Sequence, residues 1–283
     1  METRLEELDK RISDSLSEWK LPEGKDKTAV WDKISYSIRT KKRGHVISLK
    51  KWHWVAAACV MSVLLSYAVF YSGQITHTTL NNNYQTITLP DGSTVNINAG
   101  SQLNYNKYTW LFKRNVNLSG EGFFKVTKGS QFKVHTDNGT IKVLGTSFNV
   151  FSRKHKLNVA CYEGRVEVST ASNAVVIVPG EEVHRLGANS FEKTSGPQEI
   201  KEPNWLKGRF VYSETPLIEV FEEVERQFNV EINTSNLPEK MRFTGEWNTG
   251  MDVDNVLDIV CLPFGLNKVA TSKGQFKIEA TSL

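Results

Sequence analysis

The chain has 283 residues, with 35 Lys and Arg against 31 Asp and Glu and a net charge of +4 at pH 7. Residues 1–51 contain 13 basic and 9 acidic residues, so the whole excess lies there, and the remaining residues carry 22 of each kind. Because nucleic-acid binding normally needs a local basic excess, the larger part of the chain is not expected to bind DNA or RNA.

The N-terminal segment is predicted to form two amphipathic helices. Apolar residues recur at steps of three and four, and Pro22 and Gly24 separate the first helix from the second. Helices this short cannot bury both apolar stripes by themselves, so either they pair loosely with each other or a partner covers them. The stripes consist of Leu5, Leu8, Ile12, Leu16 and Trp19, then Val30, Trp31, Ile34 and Ile38.

An uncharged run extends from Trp54 to Tyr71. As a helix it would span roughly 27 Å, close to the ~30 Å hydrocarbon core of a bilayer, and Lys50 and Lys51 can snorkel over the remainder. A buried helix of a soluble domain and a cleaved signal peptide are the alternatives. The run lacks a polar face, and the segment before it is too long for a signal peptide, so we predict an uncleaved transmembrane helix over 53–72.

Basic residues flank this helix on its N-terminal side only. The next one after the run is Lys107. The positive-inside rule therefore predicts that residues 1–51 are cytoplasmic and residues 73–283 lie outside the cytoplasm. The flanking residues are Lys41, Lys42, Arg43, Lys50 and Lys51.

The chain after the helix changes to a period of two. Residues 73–84 are polar and are predicted to be a linker, and alternating apolar residues begin at Gln85. Three pairs of alternating runs are separated by turn sequences, which predicts hairpins in an all-β domain over 85–185. These turns are Pro90-Asp91-Gly92, Asp137-Asn138-Gly139 and Glu163-Gly164.

A second linker is predicted over 186–203, followed by a mixed module over 204–283. Its pattern predicts the order βαββαββ, with Pro216 at the start of the first helix and Asp252 capping the second. The fold class is thus an α+β multidomain membrane protein with a short helical arm, one transmembrane helix, an all-β domain and a small βαββαββ domain. Four acidic residues of the module's first helix are predicted to form its solvated face: Glu219, Glu222, Glu223 and Glu225.

Motifs for catalysis or metal binding are not found. The six histidines form no metal-binding pair and the three cysteines no C-x-x-C, so we expect neither enzymatic activity nor a cofactor or metal. Cys59, Cys161 and Cys261 are predicted to be buried free thiols, with a Cys161–Cys261 disulfide as the alternative.

Five segments of the β region resemble, in order, the successive motifs of the FecR-type anti-sigma factors. They are residues 89–105, 114–126, 132–150, 159–168 and 178–183. The stretch from WLKGRFVYSETP to DIVCLPFGL is similar to the short domain that follows FecR domains in Bacteroidetes-type members, and that domain is similar to the secretin/TonB N-terminal module.

The resemblance implies a signalling function. The cytoplasmic arm would bind an extracytoplasmic-function (ECF) sigma factor through the two apolar stripes, of which Leu5, Leu8, Ile12, Leu16, Trp19, Trp31, Ile34 and Ile38 are the candidate contacts. The periplasmic part would receive a signal from the signalling domain of an outer-membrane TonB-dependent transporter, and regulated proteolysis would release the arm with its sigma factor. The competing hypothesis is a membrane-anchored periplasmic binding or scaffold protein without sigma-factor contact.

The resemblance also draws attention to Gly145-Thr146. Some members of the family cleave themselves at a Gly-Thr bond, where the Thr hydroxyl would attack the preceding carbonyl in an N-to-O acyl shift. The interpretation that we favour is a turn glycine followed by a β-branched residue that begins a strand.

Overall fold

The structure, a computed structural model, describes residues 2–18, 24, 26–39, 49–187, 190–196, 200–235, 237–238 and 240–280, without the side chains of 2–5 and 49–51. Of the predicted partner contacts, Trp19 and the Leu5 side chain lie outside these residues, as do the basic residues 41–43. The chain divides into an N-terminal unit, Met1–Val63, and a C-terminal unit, Leu64–Leu283.

Two helices occupy the N-terminal arm, as the apolar spacing predicts: α1 (Glu2–Glu18) and α2 (Lys27–Arg39). Asp26 caps α2, because its Oδ1 accepts a hydrogen bond of 3.1 Å from the Thr28 backbone N–H. This hydrogen bonding lowers the pKa of the Asp26 carboxyl. Every side chain described in the two helices is exposed.

The third helix, α3 (Leu49–Ser72), contains the uncharged run. Its segment Trp52–Ser72 has a mean hydropathy of 1.9 and none of it is buried, so it is long and apolar enough to cross a membrane. It is the single candidate of this kind among the residues that the structure describes.

The chain passes from α3 into the sheet without the predicted linker. Strand β1 (Gln74–Thr78) follows after Gly73 and pairs along its whole length with β4, so the prediction of a linker over 73–84 is wrong for its first half. The strand was missed because QITHT contains one apolar residue, Ile75, and therefore no recognisable alternation.

The β region comprises thirteen strands in the described chain. Their bounds are β1 Gln74–Thr78, β2 Gln85–Thr88, β3 Thr94–Ile97, β4 Gln102–Asn106, β5 Arg114–Lys125, β6 Phe132–Thr136, β7 Gly139–Val143, β8 Ser147–Arg153, β9 Lys156–Glu163, β10 Val166–Ser169, β11 Ala174–Ile177, β12 Glu181–Leu186 and β13 Ser190–Ser195. The main path runs β11-β10-β7-β6-β5-β8-β9-β12-β13.

The long strand β5 belongs to both halves of this sheet system. Its residues 114–119 pair with β4 and β6, and its residues 120–125 pair with β3 and β8. The change occurs at Gly120, where φ is +109° and a Cβ atom would lie 2.4 Å from the Ser101 Oγ. Side chains from both halves form one hydrophobic core, in which the rings of Phe124 and Phe148 stack at 5.0 Å.

Two of the three predicted hairpins are present, and the third is wrong. The chain reverses between β2 and β3 and between β6 and β7 as expected. At Glu163-Gly164, β9 remains paired with β8 and β12, whereas β10 crosses to pair with β7 and β11. Alternation of apolar residues fixes which side of a strand is buried but not which strand is its neighbour, so both arrangements fit the same sequence.

The predicted linker over 186–203 also contains a strand, β13 (Ser190–Ser195), which pairs with β12. A short 3-10 helix (Asn204–Lys207) then leads into the C-terminal module. The linker prediction failed here because SFEKTS is mostly exposed and polar, so no buried face is visible in its sequence.

The C-terminal module has the predicted order of elements: β14 (Arg209–Pro216), α4 (Leu217–Phe228), β15 (Glu231–Asn233), β16 (Arg242–Asn248), α5 (Val253–Cys261), β17 (Leu266–Ser272) and β18 (Gln275–Ala280). Pro216 precedes α4 by one residue, and Asp252 stands at the N-cap of α5 without a side-chain capping bond. The strands form a two-stranded sheet, β14-β16, and a three-stranded sheet, β15-β18-β17. Together with α4 and α5 they enclose a second hydrophobic core around Trp247 and Phe221.

All three cysteines are free thiols, so the alternative of a Cys161–Cys261 disulfide is wrong. Cys161 and Cys261 are buried in separate hydrophobic cores. Cys59 on α3 is exposed, so the prediction of a buried thiol is wrong for this residue. Burial raises the pKa of the Cys161 and Cys261 thiols to about 11.

Candidate functional site

The predicted sigma-binding stripe of α1 is exposed. Leu8, Ile12 and Leu16 have 53%, 51% and 66% of their surface accessible. They lie on one side of the helix, because a step of four residues turns it by almost one full rotation. Large apolar side chains grouped on one face and open to solvent indicate a surface for a partner.

The apolar stripe of α2 is exposed to solvent as well. Trp31 and Ile38 are each about 70% exposed, and Val30 and Ile34 are also open to solvent. Loose pairing of the helices, one of the two alternatives left by the sequence, would have covered part of these stripes. The exposed stripes therefore favour the other alternative, in which a partner covers them.

Gly145 and Thr146 lie at the turn that leads into β8. Thr146 is buried, its hydroxyl donates to the Arg165 carbonyl over 3.1 Å, and its own carbonyl accepts from the Val126 N–H over 3.0 Å. A Cβ atom on Gly164 would lie 2.9 Å from both the Gly145 carbonyl oxygen and the Thr146 Oγ1. Gly145 and Thr146 thus form a tightly packed turn, as the favoured interpretation expects for the glycine. Strand β8 begins one residue later than expected, at Ser147, so Thr146 belongs to the turn.

A buried polar network lies at the junction of the β region and the C-terminal module. This network was not predicted from the sequence. Its centre is Glu121 on β5, whose two carboxylate oxygens each accept a 2.8 Å hydrogen bond, from the side-chain amides of Asn98 and Asn149. The three residues come from different strands or turns and are brought together by the pairing of β5 with β3 and β8.

The network continues into the C-terminal module through two contacts. The Gln227 side-chain amide of α4 donates to the Asn98 Oδ1 at 3.0 Å and to the Glu223 carboxylate at 2.8 Å. On the other side, the indole N–H of Trp205 donates to the Asn149 Oδ1 over 3.2 Å. An unbroken chain of hydrogen bonds therefore connects β5 with both the 3-10 helix and α4.

Arginines complete the network. Arg226 donates to the Glu223 carboxylate over 2.7 Å. Arg153 of β8 donates to the backbone carbonyls of Ala99 and Gly100, each over 2.7 Å. Burial lowers the pKa of Arg153, as does the positive charge of Arg226.

The electrostatic environment of Glu121 is unfavourable for its charged form. Burial raises the pKa of this carboxyl, and the negative charge of Glu223 raises it further. The hydrogen bonds from Asn149 and Asn98 and the charge of Arg153 oppose the shift without cancelling it. The protonation state of Glu121 is therefore coupled to the packing of the C-terminal module.

A cleft of about 530 Å³ lies beside the network, between the β8–β9 hairpin and α4. Two ion pairs cross it, Lys154 with Glu222 and Lys156 with Glu219. Because these pairs are partly or largely exposed, each contributes only ~0–1 kcal/mol to stability. They add charge complementarity to a junction whose geometry the buried network determines.

The prediction that the acidic cluster of α4 is a solvated face is wrong for Glu223, which is buried. Glu225 is partly buried, and burial raises its pKa while its carboxylate accepts from the Ile232 N–H. The apolar spacing of α4 correctly identified the face towards its own core, but a helix packed against a second domain buries part of its polar face too. Among the described residues, no group of His, Cys, Asp or Glu side chains could hold a metal ion.

We expect the free energy of unfolding of the wild-type chain to fall relative to that of Glu121→Gln as the pH rises. The pKa of Glu121 is higher in the folded than in the unfolded chain, so its contribution to stability is complete below the ordinary value of 4.5. That contribution is lost as the pH rises through the raised pKa of the folded state. Urea unfolding of the chain in lipid nanodiscs at a series of pH values measures the difference.

Glu192→Gln makes the same chemical change on an exposed strand and is the matched control. A difference between wild type and Glu121→Gln that stays constant across the pH series would contradict the raised pKa of Glu121 in the folded chain.

Comparison with known proteins identifies the domains. The family model described as "FecR protein" matches residues 75–167, and the one described as "FecR, C-terminal" matches residues 209–269. No curated protein matches the sequence.

Two crystal structures of a "putative anti-sigma factor" from Parabacteroides distasonis ATCC 8503, at 2.50 and 1.65 Å resolution, are similar to this chain. Each has 26% sequence identity and a TM-score of 0.67, and the match covers 74% of this chain and 100% of the other. With both family models matching in order and a structural match to an anti-sigma factor over 74% of the chain, the chain belongs to the FecR-type anti-sigma factors.

Proposed function

We propose that this protein is a single-pass inner-membrane anti-sigma factor with its N-terminal arm in the cytoplasm. The family supplies the anti-sigma role, and α3 supplies a helix fit to cross a membrane. The orientation follows from the basic residues on the N-terminal side of α3 and the absence of any Lys or Arg between Tyr71 and Lys107.

The arm binds a sigma factor of the ECF class in this proposal. The observation that carries it is the exposure of the apolar stripes on α1 and α2. An amphipathic helix that lays its apolar face into a groove of a partner is a common mode of protein recognition. Binding would bury the Leu8, Ile12 and Leu16 side chains, and the α2 stripe would extend the contact.

The C-terminal unit receives the signal in the periplasm, from the signalling domain of a TonB-dependent transporter in the outer membrane. Signal transfer by regulated proteolysis suits this architecture, because cutting the chain separates the arm from the membrane completely. A small rotation of one unpaired helix would be a far weaker signal. The sigma factor would leave the membrane together with the arm.

We expect the double substitution Leu8→Asp with Ile12→Asp to abolish co-purification of an ECF sigma factor with the tagged full-length chain. Burying a carboxylate in an apolar groove without a partner costs several kcal/mol, enough to reduce affinity by two orders of magnitude or more. Affinity purification from the native cells followed by mass spectrometry measures the bound sigma factor.

Ser17→Asp is the control for placement, since it adds one carboxylate of the same kind at a position ~140° around α1 from Ile12. It should leave binding unchanged. If the double variant still retains the sigma factor, the contact surface assigned here is wrong. If the wild-type chain retains none, the protein is instead a membrane-anchored binding or scaffold protein without sigma-factor contact.

We also expect the Gly145–Thr146 bond to remain intact in the purified protein, because the packed turn gives this glycine and threonine a structural role. The wild type and Thr146→Ala should both appear as one full-length band on a denaturing gel. A wild-type fragment that begins at Thr146, absent from Thr146→Ala, would show that the self-cleaving chemistry of some relatives occurs here.

A further inference from the structure

The loop between β4 and β5, residues 107–113, exposes two large apolar side chains side by side. Leu111 is 91% and Phe112 is 85% exposed, more than any other large hydrophobic side chain that the structure describes. Tyr108 is 47% exposed, and Lys107 and Lys113 at the two ends of the loop are also open to solvent. The loop therefore presents an apolar tip between two positive charges.

The tip is held in place by the rest of the loop. Trp110 is buried, and its ring packs edge-on against Tyr105 at 5.4 Å and Phe132 at 5.9 Å. The backbone N–H groups of Phe112 and Lys113 both donate to the Thr109 carbonyl, over 3.0 and 2.9 Å. Leu111 and Phe112 are thus exposed by a fixed turn that is anchored in the hydrophobic core.

The same loop begins at the C-terminal end of α3. The Asn106 side-chain amide donates to the Phe70 carbonyl of the last helical turn over 2.7 Å, and the Lys107 N–H donates to the Gly73 carbonyl over 2.9 Å. A Cβ atom on Gly73 would lie 2.5 Å from the Tyr108 ring, so this ring packs directly on the glycine backbone.

The apolar tip lies within reach of the membrane surface. Phe112 lies four positions after Tyr108, so their Cα atoms are at most roughly 14 Å apart. The headgroup region beyond the hydrocarbon core is ~5–7 Å thick on each side. A loop that starts at the end of a membrane-spanning helix can therefore place its tip in the lipid interface.

We propose that residues 107–113 form a lipid-contacting loop that fastens the β region to the bilayer surface from which α3 emerges. Aromatic and aliphatic side chains suit the headgroup and upper acyl region, and flanking lysines suit anionic headgroups. The continuity with α3 favours lipid over a protein partner as the occupant. The proposal rests on the membrane-spanning role of α3 in the proposed function.

Spin labels on the purified full-length chain test this proposal in nanodiscs of phosphatidylethanolamine and phosphatidylglycerol. Cys59→Ala removes the exposed thiol, and the buried Cys161 and Cys261 do not take up label. Labels are placed singly through Leu111→Cys in the loop, Leu64→Cys in α3 and Leu262→Cys in the C-terminal module. Leu262 is 73% exposed and is the matched control.

The measured quantity is the rate at which each spin label collides with oxygen divided by the rate at which it collides with a nickel chelate. We expect this ratio to be several-fold higher for the labels at 64 and 111 than for the label at 262. No partner protein is added and the nanodisc scaffold protein is the same for all three labels, so contact with lipid produces a difference between them. A high ratio at 64 with equal ratios at 111 and 262 overturns the lipid-contacting loop and leaves the membrane anchor standing. A low ratio at 64 overturns the membrane-spanning role of α3 and with it both proposals.

Discussion

The direct passage of an apolar helix into a β-sheet is the constraint on which the rest of this structure depends. Gly73 alone separates α3 from β1, β1 pairs with β4 over all five residues, and Asn106 bonds the last turn of the helix. In the proposed topology the β region therefore cannot move away from the membrane surface independently of α3. The glycine is required because both Asn106 and Tyr108 lie against its backbone.

The polar network at Glu121 imposes a comparable constraint on the C-terminal module. A buried polar group that loses its partner costs ~1–3 kcal/mol, whereas each completed hydrogen bond contributes about 1 kcal/mol, so such a network selects one arrangement more than it stabilises it. Glu121, Asn98 and Gln227 fit only when α4 lies where it does. A signal that reaches this module would act on an element whose orientation relative to the β region is specified.

The sequence was informative wherever a local pattern determines structure. The uncharged run predicted α3, the spacing of Leu8, Ile12 and Leu16 predicted the face of α1, and Pro90-Asp91-Gly92 predicted a hairpin. It was uninformative where distant residues meet: Gln227 and Asn98 are 129 positions apart, and nothing local marks them as partners. The sequence does not predict the crossing of β10 for the same reason, because strand partners are chosen by tertiary packing. It does not predict β1 because the single apolar residue of that strand gives no alternation.

Protease treatment of spheroplasts tests the central claim most directly, since the signalling account requires the two ends of the chain to lie on opposite sides of one membrane. With an epitope at each terminus, protease added outside should destroy the β region and the C-terminal module while leaving a protected fragment that contains the arm and α3. Survival of the C-terminal epitope in intact spheroplasts, with its loss after lysis, would contradict the account.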